Sequence, residues 1–145
     1  MLALVQRVLE AGVSIGGNRV SSIGRGLLVF VCAQPGDTPE KVAQLASKVL
    51  KLRIFSDENG KMNLSLLDIR GELLVVSQFT LAADTHSGNR PGFSGAASPE
   101  EGERNYELFI DCCARGGIRP QTGVFGADMK VNLINDGPAT FWMSK

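Results

Sequence analysis

Apolar and polar positions change rhythm several times along this chain, and each change predicts an element. Residues 2–8, "LALVQRV", alternate loosely and predict a strand. A second strand is expected over 12–20, with Gly16-Gly17-Asn18 as the turn of an opening hairpin. The run "GLLVFVCA" at 26–33 is apolar throughout and too short for a typical helix, which predicts a strand buried on both faces. The period then lengthens: Val42, Leu45, Ala46, Val49 and Leu50 recur at helical spacing behind Asp37 or Thr38 as cap, with Pro39 and Glu40 in the first turn, predicting a helix to about Leu52.

Beyond it, 52–68 reads as a strand, a turn at Asp57-Glu58-Asn59-Gly60 and a return, and "ELLVVSQFTL" at 72–81 as a central strand. Residues 82–98 lose all apolar period and predict a long loop of the kind that is either functional or mobile. Ser98-Pro99-Glu100-Glu101 starts a second helix, with Ser98 as N-cap and Glu101 at the capping-box position. Its buried stripe is Tyr106, Phe109, Ile110, Cys113 and Ala114, and Gly116-Gly117 end it. Two or three strands close the chain. Five to seven strands, mostly hairpin-connected, with two helices placed singly, predict an α+β fold of the broad α/β class. The sheet is antiparallel or mixed and able to curl into a barrel flanked by both helices, all within one domain spanning 1–145.

Composition narrows the function. At 43% hydrophobic and 21% charged residues, the chain of 145 residues has the make-up of a globular domain with an adequate core. Fifteen basic and fifteen acidic residues cancel, so a nucleic-acid partner would have to meet a local basic patch rather than a bulk field. Arg7 and Glu10 interrupt the N-terminal apolar run, which is neither a signal peptide nor a membrane span, and a soluble, cytoplasmic protein is expected. Cys32, Cys112 and Cys113 form no CxxC pair, and His86 is the lone histidine. Neither a zinc site nor a disulfide framework is expected, and no nucleotide or Ca²⁺ motif appears, so action without a cofactor is the expectation.

Candidate chemistry collects at two places. "SQFTL" at 77–81 ends the central strand at the mouth of the long loop; on a strand, Gln78 and Thr80 share one face while Ser77, Phe79 and Leu81 share the other. These residues either carry chemistry or simply finish the strand. Thr80 or Ser77 as a nucleophile would need a base, and His86 in the loop is the sole imidazole, so a Ser-His-Asp triad is not expected. Arg90 and Phe93 in the loop suit a phosphate and a base, or an ordinary surface. Phe125 and Met129 around Gly126 suit a flat pocket, or core packing. The second place is "NDGPATF" at 135–141, where Gly137-Pro138 is either a turn ending a strand or a backbone cleared for something to approach it.

"SQFTL", "NDGPATFW" at 135–142, "GLLV" at 26–29, "RIFSDENGKMNLS" at 53–65 and "FGADMKV" at 125–131 stand in the order and spacing of the D-aminoacyl-tRNA deacylases of bacterial and eukaryotic type, which the chain resembles over essentially its whole length. The resemblance implies a β-barrel-like sheet with flanking helices. It also implies a cytoplasmic homodimer that hydrolyses the ester of D-aminoacyl-tRNA, and of glycine mischarged on tRNA-Ala, with active sites at the subunit interface and with neither a membrane nor DNA as partner. Gly137 and Pro138, joined by a cis peptide bond, become a chirality filter inserted into the other subunit's site. Backbone amides of Ser77, Gln78, Phe79 and Thr80 become the catalytic wall. Either Thr80 as nucleophile or the terminal ribose 2′-OH of the tRNA assists, and the lack of a base near Thr80 favours the ribose. Phe125 and Met129 hold the terminal adenosine. Two positions depart from the family pattern, Ala139 for valine beside the filter and Gly92 for serine in the loop. A non-catalytic RNA-binding module and a Thr80-dependent hydrolase of small esters are the alternatives.

Overall fold

The computed structural model describes residues 1–145. Its first strand, β1 (Leu2–Ile15), is one continuous element of 14 residues. The two strands expected at 2–8 and 12–20 are therefore redrawn. The turn falls at Gly16 and Gly17, both at positive φ (57° and 82°), and the chain returns as β2 (Asn18–Ile23) with Ile15 opposite Asn18. Two consecutive left-handed residues give the turn a twist that matches its flanking strands, which is why glycines occupy it.

The other elements are β3 (Gly26–Cys32), α1 (Pro39–Lys51), β4 (Phe55–Ser56), β5 (Met62–Leu64), β6 (Glu72–Ser77), α2 (Pro99–Arg115), β7 (Gln121–Thr122) and β8 (Lys130–Ser144). Eight strands thus replace the five to seven expected, the shortest being the two-residue β4 and β7. One edge of β1 pairs with β8 along its length, and its other edge is shared, Leu2–Val8 with β3 and Ala11–Ile15 with β2. The β3–β6 and β6–β7 pairs are parallel, so the connections through α1 and α2 are crossovers and not hairpins. The result is a mixed sheet, β2-β1-β3-β6-β7 with β8 added on β1, curled until β2 lies near β6 and β7, with the two helices packed together outside it.

Curling buries both faces of the middle strands, which accounts for their unbroken apolar runs. On β6, Leu73 and Val75 join the larger core of twenty residues, while Leu74 and Val76 point the other way into a smaller one with Val8, Val13, Ile23 and Leu28. Into the larger core α1 drives Val42, Leu45, Ala46, Val49 and Leu50, the predicted stripe without change. Each of its large apolar side chains contributes about 1.5–3 kcal/mol on burial. Thr38 caps α1 and Ser98 caps α2, each hydroxyl accepting from an amide three residues on at 3.3 Å. Glu101 does not complete a capping box: its carboxylate accepts from the Gly36 amide instead, at 3.3 Å, tying α2 to the loop before α1. On α2 the buried set is Asn105, Tyr106, Phe109 and Cys113, with Ile110 only partly buried. No helix is long and apolar enough to cross a membrane.

Candidate active site

The strand predicted over 72–81 stops at Ser77. Phe79–Ala82 wind into one turn of 3-10 helix, so the two-faced strand alternation of this segment does not exist. The change of conformation has a local cause: the Gln78 amide makes the last sheet bond, to the Val31 carbonyl at 2.8 Å, and β7 pairs only with Leu74 and Val75 on the other side, leaving nothing to extend. The first bonds of the turn run from Leu81 N to Gln78 O (3.2 Å) and from Ala83 N to Thr80 O (3.1 Å). The amides of Phe79 and Thr80 therefore stand ahead of its ladder, where helical amides have no internal acceptor.

Gln78 and Thr80 still meet, through a route other than strand alternation. The Gln78 Nε2 amide donates to Thr80 Oγ1 at 2.5 Å. A carboxamide cannot take a proton from a hydroxyl, so this contact orients Thr80 without activating it. His86 is exposed in the loop, its own backbone amide donating to Asp84 Oδ1 at 2.9 Å. No group of three or more His, Cys, Asp or Glu side chains is placed to hold a metal ion.

A cavity of about 630 Å³ opens beside the turn, and Ser77, Gln78, Phe79, Phe125 and Met129 all line it. The chain thus brings together segments that lie some fifty residues apart in sequence. Phe125 leans on Tyr106 (ring centroids 6.1 Å apart) and across Gly102, where an added Cβ would sit 3.4 Å from its ring. Tyr106 donates to the Val75 carbonyl at 2.9 Å, and burial pushes its phenol up to about 12. Phe79, 56% exposed, meets Phe93 of the long loop edge to face at 5.1 Å. These two rings form an aromatic rim at the cavity.

Cys32, at the end of β3, is a cavity residue for which the sequence offered no signal beyond an apolar run. Its thiol contacts the carbonyls of Ala33 (3.3 Å) and Phe79 (3.5 Å), and burial raises its pKa, so it is a packed donor at the root of the turn and not a nucleophile.

Gly137 and Pro138 do not line this cavity within the chain. They lie on β8, joined by a cis peptide bond, where four residues (136–139) stand opposite the single Arg7 between the paired positions Val8–Asn135 and Gln6–Thr140. The excess residues bulge outward and leave Gly137 and Pro138 exposed. Two side chains that the sequence did not flag shape the bulge. Asn135 Oδ1 accepts from the Ala139 amide (2.9 Å) while its Nδ2 donates to the Ala139 carbonyl (3.1 Å), closing the bulge like one rung of a ladder. Arg7 donates to the Asp136 carbonyl (2.7 Å) and to the Ile54 carbonyl (2.5 Å), fixing the base of the bulge to the body. A Cβ on Gly137 would lie 1.9 Å from the Ala139 nitrogen and 2.6 Å from Asn135 Oδ1, so only glycine fits. Ala139 is 3% exposed, its methyl packed inward beneath the exposed pair.

The sequence profile of a family described as D-Tyr-tRNA(Tyr) deacylase matches residues 4–144. Among similar curated proteins, the D-aminoacyl-tRNA deacylases of Dinoroseobacter shibae and Ruegeria pomeroyi are 60% and 62% identical over 143 residues, covering 99% of this chain and of each relative. That of Erwinia tasmaniensis is 55% identical at the same coverage. Among solved structures, a c-Myc DNA unwinding element binding protein superposes with a TM-score of 0.93 at 40% identity, covering 100% of this chain and 99% of its own. A probable eukaryotic D-amino acid tRNA deacylase reaches a TM-score of 0.85 at 15% identity, covering 99% of this chain and 98% of its own, a likeness of fold.

Proposed function

The chain belongs to the D-Tyr-tRNA(Tyr) deacylase family, hydrolases of the aminoacyl-tRNA ester, and from that premise we propose how it selects and cleaves its substrate. The terminal adenosine of a D-aminoacyl-tRNA enters the cavity between Phe125 and Met129. The ester carbonyl faces the amides of Phe79 and Thr80, which stabilise the oxyanion as water adds to the carbon. The bond from that carbon to the ribose oxygen then breaks, the oxygen takes up a proton, and a D-amino acid and tRNA leave. The ribose 2′-OH assists this proton movement, and Thr80 does not act as nucleophile.

The working unit in this reading is a cytoplasmic homodimer. Gly137 of the partner subunit and Pro138 of the partner subunit close the cavity, their carbonyls accepting from the substrate's α-ammonium while their backbone fills the space an L side chain needs. Glycine, with no side chain, passes the same filter, so glycine mischarged on tRNA-Ala is also a substrate. One domain carries the whole activity. The observation that carries the chemistry is the hydroxyl of Thr80, whose hydrogen-bonding partner is the carboxamide of Gln78 rather than a base.

Incubation with D- and L-tyrosyl-tRNA tests the reading: preferential release of the D-amino acid supports it, and equal rates overturn it. Thr80→Ala is expected to keep turnover within about tenfold, whereas a substrate ending in 2′-deoxyadenosine should lose roughly a hundredfold or more, the worth of a positioned proton donor or acceptor. The reverse pattern would assign the chemistry to Thr80.

A further inference from the structure

Cancelling charges give this chain no bulk attraction for RNA, so the local distribution decides where a polyanion can settle. One surface stands out. An open groove of about 690 Å³ runs along the outer face of α1, lined by Gln44, Ser47, Lys48 and Lys51 together with Arg53 and Lys145. The four helical positions are spaced three, one and three apart, which puts them on one face, opposite the buried stripe of α1. The groove lining holds four basic side chains and no acidic one, and none of the four basic side chains takes part in an ion pair. Arg53 is already oriented, its guanidinium donating to the Asn63 carbonyl at 2.9 Å and to the Asn63 carboxamide oxygen. Asp68, the acid that feels Arg53, has one carboxylate oxygen engaged by the Ser65 amide at 2.8 Å.

The groove adjoins the candidate active site. Met1 lines the cavity and Lys145 lines the groove, and the two are paired through their backbones: the Met1 nitrogen donates to the Lys145 carbonyl at 2.6 Å, and the Lys145 amide returns to Met1 O at 3.0 Å. By contrast, the groove around Arg19 is also lined by Glu10 and Glu72, which repel phosphate.

We propose that the α1 groove docks the phosphodiester backbone of the substrate RNA as it leaves the cavity, with Lys48, Lys51, Arg53 and Lys145 as phosphate contacts. The proposal deepens the deacylase reading of the cavity and rests on it. Phosphate contacts of this kind position the substrate without reading sequence, so they should serve tRNAs of any identity.

Two measurements test it. For uncharged tRNA, the double variant Lys48→Ala/Lys51→Ala should bind roughly tenfold more weakly at moderate salt, and the slope of log affinity against log salt should fall by about two, one per lysine lost. Lys48→Arg/Lys51→Arg should restore both, which separates charge from any disturbance of α1. In turnover, the alanine variant should raise KM for D-tyrosyl-tRNA with kcat unchanged, and leave hydrolysis of the phosphate-free ester D-tyrosyl-adenosine as in the wild type. Unchanged tRNA affinity and salt slope would overturn the docking proposal, as would an equal loss on the adenosine ester. If the wild type shows no D preference on either ester, the deacylase reading falls, and the salt slope for uncharged tRNA still decides the groove.

Discussion

At the scale of single residues, the bulge on β8 is where the proposed filter makes the backbone itself the functional group. Gly137 is fixed by contact: its missing Cβ would overlap the Ala139 nitrogen, which no rotamer change relieves. Gly137→Ala should therefore distort the bulge and reduce D-aminoacyl-tRNA deacylation at least tenfold, measured as kcat/KM, while far-UV circular dichroism stays unchanged. Asn135→Ala removes both hydrogen bonds to Ala139 and should lower stability by about 1–2 kcal/mol in a denaturant titration. Its bulge, no longer held shut, should also admit L-aminoacyl-tRNA more readily, so that the ratio of D to L turnover falls. Unchanged discrimination would mean that Arg7 alone positions the segment. The sequence made Gly137-Pro138 legible through its improbable place in a strand. Asn135 and Arg7 were not legible, because an asparagine beside an aspartate reads as turn chemistry until its partner four residues on is seen.

Secondary-structure elements were readable where their cause is local. The spacing of Val42, Leu45, Ala46, Val49 and Leu50 and the caps Thr38 and Ser98 are set within a few residues of themselves, and both helices form where the sequence places them. The end of β6 was not readable, since "SQFTL" looks as strand-like as the residues before it, and what stops the strand is the length of its neighbours. On α2, burial has a measurable signature. The phenol of Tyr106 and the thiol of Cys113 are both pushed up to about 12, from ordinary values of 10.0 and 9.0, chiefly because each is shut away from water. Raised acids favour the folded state fully below their unfolded values, and this contribution is lost as pH rises through the folded ones. Stability should accordingly decline between about pH 9 and 12, by roughly 3 kcal/mol at most for Tyr106 and roughly 4 kcal/mol at most for Cys113. Urea midpoints across that range check it, and Cys113→Ala should flatten the decline even though it lowers stability at neutral pH.

For the whole molecule, β8 pairs with β1 alone, and its length carries Ile134 and Trp142, 49% and 55% exposed, with Leu9 of β1 at 51% nearby. In the proposed homodimer this surface is covered. Sedimentation should then give twice the mass of one chain, and Trp142→Asp should give a monomer that has lost deacylation, because the filter on β8 no longer reaches the partner's cavity. Trp142 is the single tryptophan, so a red shift of its emission on dilution would follow the same event. A monomeric and fully active wild type would contradict the cross-subunit reading. By itself the sequence determined the elements whose apolar period and caps are local, a sheet with two outer helices, and, through "SQFTL" and "NDGPATFW", the family. The tertiary structure alone decided that β3, β6 and β7 run parallel, that "SQFTL" ends in a turn and does not continue the strand, and that Phe125 and Met129 share a cavity with it. The reason is that periodicity records which face of a segment is buried but not what covers it. The covering partner is fixed only when distant strands close on one another.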